Sequence, residues 1–320
     1  MKLNKVLILI ALPLFSIILL STFAFASISD WFGFFKKKDV QESPSASLNV
    51  SVSIGNNAPR INNITFDNPQ EIVEGGVKIV HIYFEAEDNN GNDDLAPSTA
   101  QLTINKSGNS DKIINCSLFS SPSAIKAIYE CNMQIEYYQQ AGEWEIMAGI
   151  KDKANTQANK IAMLVINEQM SFTLSPSVVD FPSTLSPGDI NVISSAESRP
   201  ILLKNLGNKD IVFDQANNRG IHITAKDLTG EIDSSKKIDA SLISVKGSTD
   251  SANPPSECLT GDAMSDDAPV LITDASIPRG DNTNINNQQP IYLCIKRLDN
   301  SLSAQTYSAK GAGAWLVSIS

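Results

Sequence analysis

The stretch Val77-Lys78-Ile79-Val80-His81-Ile82-Tyr83-Phe84-Glu85-Ala86-Glu87 decides the fold class. It is crowded with β-branched and aromatic side chains, which fit a pleated, half-buried surface better than a helix. It runs directly into Asp88-Asn89-Asn90-Gly91-Asn92-Asp93-Asp94, a loop by composition. Working outward, 61–66 is a short strand candidate, and 100–105, 113–119 and 127–134 follow as strands. Trp144, Ile146, Ala148 and Ile150 alternate with Glu145, Met147 and Gly149, the period of a strand with one face inside. The run 161–166 closes this half. Upstream, Leu48, Val50, Val52 and Ile54 alternate with Asn49, Ser51 and Ser53 and predict a further half-buried strand.

The C-terminal half repeats the style. Strands are expected at 172–174, 201–204, 211–213, 221–225, 242–245, 291–295 and 315–319. Between them, 247–287 is rich in Ser, Asp, Asn and Pro and predicts a long surface excursion, the kind of loop where contacts are made. No helical period separates the strands, so the chain is predicted to be all-β and antiparallel. The expected organisation is a leading segment 1–26, a tail and linker 27–47, one β-sandwich over 48–168 and a second over 169–320.

One group of these residues carries a resemblance. The strand 77–87, the Asp/Asn/Gly loop through Leu95, and Ala141-Gly142-Glu143-Trp144 leading to Lys151-Asp152 together resemble an immunoglobulin-like or PKD-like domain of archaeal and bacterial surface proteins. The C-terminal half, with Asp227-Leu228-Thr229-Gly230, is similar in style to modules of S-layer-associated proteins. The resemblance implies two immunoglobulin-like antiparallel β-sandwiches in tandem. It supplies no catalytic residue.

The N-terminus reads as an export signal. Lys2 and Lys5 precede an uncharged apolar run, 6–26, that ends in Ala24-Phe25-Ala26 before Ser27. A basic start, an apolar middle and an A-x-A end form a secretory signal, with the cut expected after Ala26. The rival is a retained membrane anchor, since about 20 apolar residues span a bilayer. Lys36, Lys37 and Lys38 would then lie outside, against the usual bias of positive charge toward the cytoplasm. An aromatic patch, Trp31-Phe32-Gly33-Phe34-Phe35, precedes those lysines and would suit a membrane surface if the anchor stays.

The four cysteines agree with an oxidising compartment. Three pairings are open in principle, and proximity in sequence favours Cys116–Cys131 and Cys258–Cys294. A bridge closing about 15 residues is worth roughly 3 kcal/mol in the chain-entropy view. There is no Cys-x2-Cys or Cys/His cluster to suggest zinc.

The chain holds 320 residues, 25 Lys plus Arg against 35 Asp plus Glu, and has a formal charge of −10. That balance argues against nucleic acid, which needs a basic footprint. With only two histidines, His81 and His222, each between apolar neighbours, there is little material for base-assisted nucleophilic catalysis. No phosphate loop, nucleophile elbow or zinc-protease motif occurs. Paired carboxylates of the glycosidase kind stay open, because only the fold sets their separation.

Two kinds of site are left. Asp88, Asn90, Asn92 and Asp94 sit at every second position, and oxygen ligands so spaced can wrap calcium, with Glu87 and Asp93 adding charge. The competing reading is a solvated turn that favours Asn, Asp and Gly for their backbone preferences. The loop departs from the EF-hand pattern, since Gly91 stands fourth and no Glu closes it. Sequons at Asn49, Asn63, Asn105 and Asn115 all fall in the N-terminal half, Asn115 beside a bridging cysteine. No other cofactor is expected. The function these readings predict is a non-catalytic extracellular structural or adhesive protein of the cell surface. Its expected partners are other surface proteins or glycans, and membrane only through the N-terminal segment. The alternatives are a carbohydrate-binding module and an extracellular hydrolase of unfamiliar type.

Overall fold

The computed structural model of the chain describes residues 46–106, 111–255 and 260–320. The expected signal or anchor, the aromatic patch and the triple lysine lie outside the described residues, as does Cys258. Among the described residues there is no α-helix, and none long and apolar enough to cross a membrane.

The N-terminal half is built from eight antiparallel strands. β1 (Arg60–Thr65), β2 (Val77–Glu87), β5 (Ser117–Ser123) and β6 (Lys126–Glu136) form one sheet in the order β1-β2-β6-β5. β3 (Leu95–Asn105), β4 (Lys112–Asn115), β7 (Gly142–Asp152) and β8 (Gln157–Ile166) form the other, in the order β4-β3-β7-β8. The two faces enclose one core. Val80, Ile82, Phe84 and Ala86 of β2 point into it, as do Tyr129, Cys131, Met133 and Ile135 of β6 and Trp144, Ile146, Ala148 and Ile150 of β7. β2 and β6 pair along their whole length without a register slip, from Val77↔Glu136 to Glu87↔Lys126. A slip of one residue would turn every buried side chain outward, so the apolar alternation enforces this register. Phe84 and Tyr129 face each other in it and stack with ring centroids 5.2 Å apart. Burial pushes the Tyr129 hydroxyl up to about 12.

The single strand expected at 113–119 is two. The chain leaves one sheet as β4 and enters the other as β5, and Cys116 is the residue between them. Cys116 is disulfide-bonded to Cys131, continuing the register Ser117↔Glu130 and Leu118↔Tyr129. The bridge therefore sits at the point where the chain changes sheets.

The strand expected at 48–54 does not form. Leu48, Val50, Val52 and Ile54 are 77–86% exposed and carry no strand pairing. Alternation gives a strand only where a neighbour takes up its backbone N–H and C=O groups, and no sheet does so here.

The C-terminal half has a second core, from Ile201 to Leu298. Its main sheet contains β9 (Phe172–Ser175), β10 (Ile190–Ile193), β11 (Ile201–Asn205), β15 (Ile243–Gly247), β16 (Asp262–Ala263) and β18 (Gln288–Arg297). Seven consecutive residues of β18 are buried, as befits a central strand covered on both faces. Two three-stranded sheets complete this half. One joins β12 (Ile221–Thr224), β17 (Pro269–Leu271) and β20 (Leu316–Ile319). The other joins β13 (Leu228–Gly230), β14 (Lys237–Ile238) and β19 (Tyr307–Ser308).

The described residues of the excursion 247–287 lie mostly at the surface, but the segment is anchored in the second core. Met264, Ile272, Ala275 and Ile277 are fully buried in the second core, and β16 and β17 lie within the segment. Its polar composition conceals these core residues: Met264, Ala275 and Ile277 stand among small, polar or Pro neighbours, and Ile272 ends a run of only three apolar residues, Val270-Leu271-Ile272. The expected strand at 211–213 is reduced to a single bridge, Ile211↔Ile277, made with that same segment. Cys294 on β18 is disulfide-bonded.

Residues Ile54–Ser320 form one unit, and hydrogen bonds join its two cores. Gly75 N–H donates to Leu206 O (3.0 Å), and Asn208 Nδ2 donates to Asn167 O (2.8 Å). Tyr137 reaches into the 280–282 turn, donating to Gly280 O (2.9 Å) and accepting from Asn282 N–H (2.5 Å). Gly207 lies so close to residues 169–171 that a Cβ there would collide with the Gln169 carbonyl.

Candidate functional site

The joint and the Asp/Asn/Gly loop lie at opposite ends of β2, eleven residues or roughly 36 Å apart. At the loop end, Asp88 N–H donates to Ile125 O (2.9 Å), and Asn90 N–H donates back to Asp88 Oδ1 (2.8 Å), a tight Asx turn. Gly91 follows at φ 116°, which a side chain would strain. A short 3₁₀ turn, Asn92–Asp94, then delivers Asp94 to the start of β3. Opposite, Asp152 ends β7 as the register partner of Leu95.

This arrangement brings three carboxylates together. One oxygen each from Asp88, Asp94 and Asp152 lies within 4.8 Å of the others. Asp88 and Asp152 are each 1% exposed, and Asp94 is half-buried. The Oδ2 of Asp88 is buried with no hydrogen-bond partner. Burial foremost, and then the charges of Asp94 and Asp152, push the Asp88 carboxyl above the usual aspartate range, against the Asn90 N–H. Asp152 goes the other way. The Asn56 amide (2.9 Å to Oδ2) and the Thr156 N–H (2.7 Å to Oδ1) hold it below that range.

Two of the four expected ligands, Asp88 and Asp94, are in this trio. Asn90 is on its rim, its Oδ1 accepting from Asn57 N–H (2.7 Å). Asn92 is turned away and donates to Ser123 O (2.8 Å). Spacing by two gathers side chains on one side of an extended strand only, and the 3₁₀ turn breaks that pattern. Glu87, expected to add charge, is engaged by Asn62 (2.7 Å) and Arg60 (2.6 Å), which hold its carboxyl low. Sequence reasoning about the loop missed Asp152, which lies 58 residues beyond Asp94. The available signal was that an Asp ends the Trp144 strand. A shallow depression that reaches the trio at Asp94 is lined by Ile54, Asn56, Asn90, Asp93, Asp94 and Lys153.

The buried pair is poorly placed for glycoside chemistry, since Asp88 is closed to solvent and both Asp152 oxygens already accept hydrogen bonds. His81 is exposed on the outer face of β2, with Nδ1 2.8 Å from Glu130 Oε1. His222 is buried in the second half, its Nε2 3.4 Å from Asn218 Oδ1. Trp144 fills the first core and donates to Gln140 O, while Trp315 packs against the second and donates to Lys226 O. Among the sequon residues, Asn49, Asn63, Asn105 and Asn115 are all exposed, and Ser107 of the Asn105 sequon lies outside the described residues.

No protein-family model matches the chain, and no curated protein matches it. Among solved structures, it is similar to a chain described as "Biofilm associated protein - BSP domain", at 10% identity and a TM-score of 0.20. That likeness covers 81% of this chain and 53% of the other. At this level it supports no argument about fold or function.

Proposed function

We propose that the chain is an exported, non-catalytic cell-surface protein in which two immunoglobulin-like sandwiches act as one stiff spacer that presents its loops for adhesion. The single observation that carries this reading is the joint. The Gly75–Leu206 main-chain hydrogen bond, the Asn208 amide on Asn167 O and the Tyr137 hydroxyl seated in the 280–282 turn leave little room for one core to swing on the other. A spacer transmits position only if its modules do not hinge. The disulfide at Cys116–Cys131, together with the bonded state of Cys294, supports an oxidising, extracytoplasmic location. An acidic surface keeps such a body soluble and away from polyanions.

The test combines location with adhesion. Native protein is alkylated before extraction, and intact cells are shaved with protease. The expected result is no alkylated cysteine, loss of the protein from intact cells, and saturable binding of the purified chain to surface proteins or glycans on an array. Alkylated thiols in the cytosolic fraction would sink the reading. Binding to one polysaccharide class alone would replace it with a carbohydrate-binding module.

A further inference from the structure

We propose that Asp88, Asp94 and Asp152 hold one divalent cation of the calcium class, and that this ion fastens the lead-in segment 54–57 to the end of the first two sheets. The carboxylates come from three places in the chain: the end of β2, the turn before β3 and the end of β7. They converge within 4.8 Å, a distance at which three negative charges repel strongly unless a cation sits among them.

The second observation is the unpartnered Asp88 Oδ2. A buried carboxylate oxygen with no donor is rare and costly, and a metal ion satisfies it. Among the described residues no ion pair joins Lys153, the nearest rim cation, to the trio. The donor set is all oxygen. Three carboxylates meet, with neither His nor Cys in the group, and Asn56 and Asn90 stand at the rim. Hard oxygen donors suit calcium or magnesium rather than zinc, and an irregular set from separate elements suits the larger, more tolerant calcium ion.

The same residues explain the coupling to the lead-in segment. Asn56 donates to Asp152 Oδ2 and to Thr156 Oγ1 (3.3 Å), and Asn57 N–H donates to Asn90 Oδ1. An ion that orders Asp152 and Asn90 therefore orders 54–57 as well. The site lies at the end of β2 away from the joint, so it orders the lead-in segment 54–57 rather than the joint itself.

The experiment uses the full chain, stripped with chelator and titrated calorimetrically with calcium chloride. A saturable single-site heat is expected, with a rise in Tm and slower hydrogen exchange over 54–59. Asp152→Asn and Asp88→Asn should each weaken calcium by about tenfold or more, while the remote Asp281→Asn leaves it unchanged. Both variants should keep the cooperative unfolding of the chelator-treated parent, because each removes a repulsive charge. Absence of saturable heat at millimolar calcium overturns the proposal, as does undiminished affinity in both variants. Displacement of calcium by equimolar magnesium overturns the assignment to the calcium class. The outcome is independent of adhesion, so this proposal and the reading above fail separately.

Discussion

The two halves of this protein bury similar kinds of residue by different means. In the N-terminal half, long strands alternate faithfully, and each contributes a row of inward side chains to one core between two sheets. In the C-terminal half, strands of two to five residues are common, three sheets share the work, and core residues such as Ala275 and Ile277 stand among polar or Pro neighbours. The difference teaches where sequence patterns hold. A long strand advertises its buried face by repetition, whereas a core assembled from single residues of many short segments advertises nothing locally.

The sharpest way to break this comparison is Ile272→Ala. Read as part of a surface excursion, the substitution should matter by less than about 0.5 kcal/mol. As a fully buried residue of the second core, Ile272 should cost about 2–5 kcal/mol on truncation, seen as a lower urea midpoint. Next comes the crossover in the first half. Replacing Cys116 and Cys131 together by serine should lose roughly 3 kcal/mol, because the bridge spans 15 residues and sits at the change of sheets. A loss confined to a few tenths would mean that β-pairing alone fixes the crossover. The smallest effect is expected from Val50→Ser, which should change stability by less than about 0.5 kcal/mol in the same unfolding experiment. A larger loss would restore the strand that alternation suggested over 48–54.

Much of the first half was legible. The 77–87 strand matches β2 residue for residue, and Trp144, Ile146, Ala148 and Ile150 point inward as their spacing implies. The interruption at Cys116 was not legible, because the residues before and after it are equally suited to a strand and only their sheet partners differ. The candidate site was half legible. Asp88 and Asp94 share a loop rich in turn residues, so composition drew attention to them. Asn92 was assigned to the site on spacing and belongs instead to a hydrogen bond with Ser123. Asp152 enters through the pairing of β3 with β7, a contact that spacing within the loop cannot express.

By itself the sequence determined that the chain is built of strands, which face of the long ones is buried, and that an acidic loop follows β2. These are local properties, set by side-chain period, turn chemistry and charge, and they act over a few residues. Only the tertiary structure decided which strands are neighbours, that the polar stretch 247–287 sends Met264, Ile272, Ala275 and Ile277 into the second core, that Asp152 joins Asp88 and Asp94, and that Tyr137 ties one core to the other. Those outcomes depend on contacts between residues far apart in the chain, where the choice among partners is made by packing and backbone pairing of the whole fold rather than by any one segment.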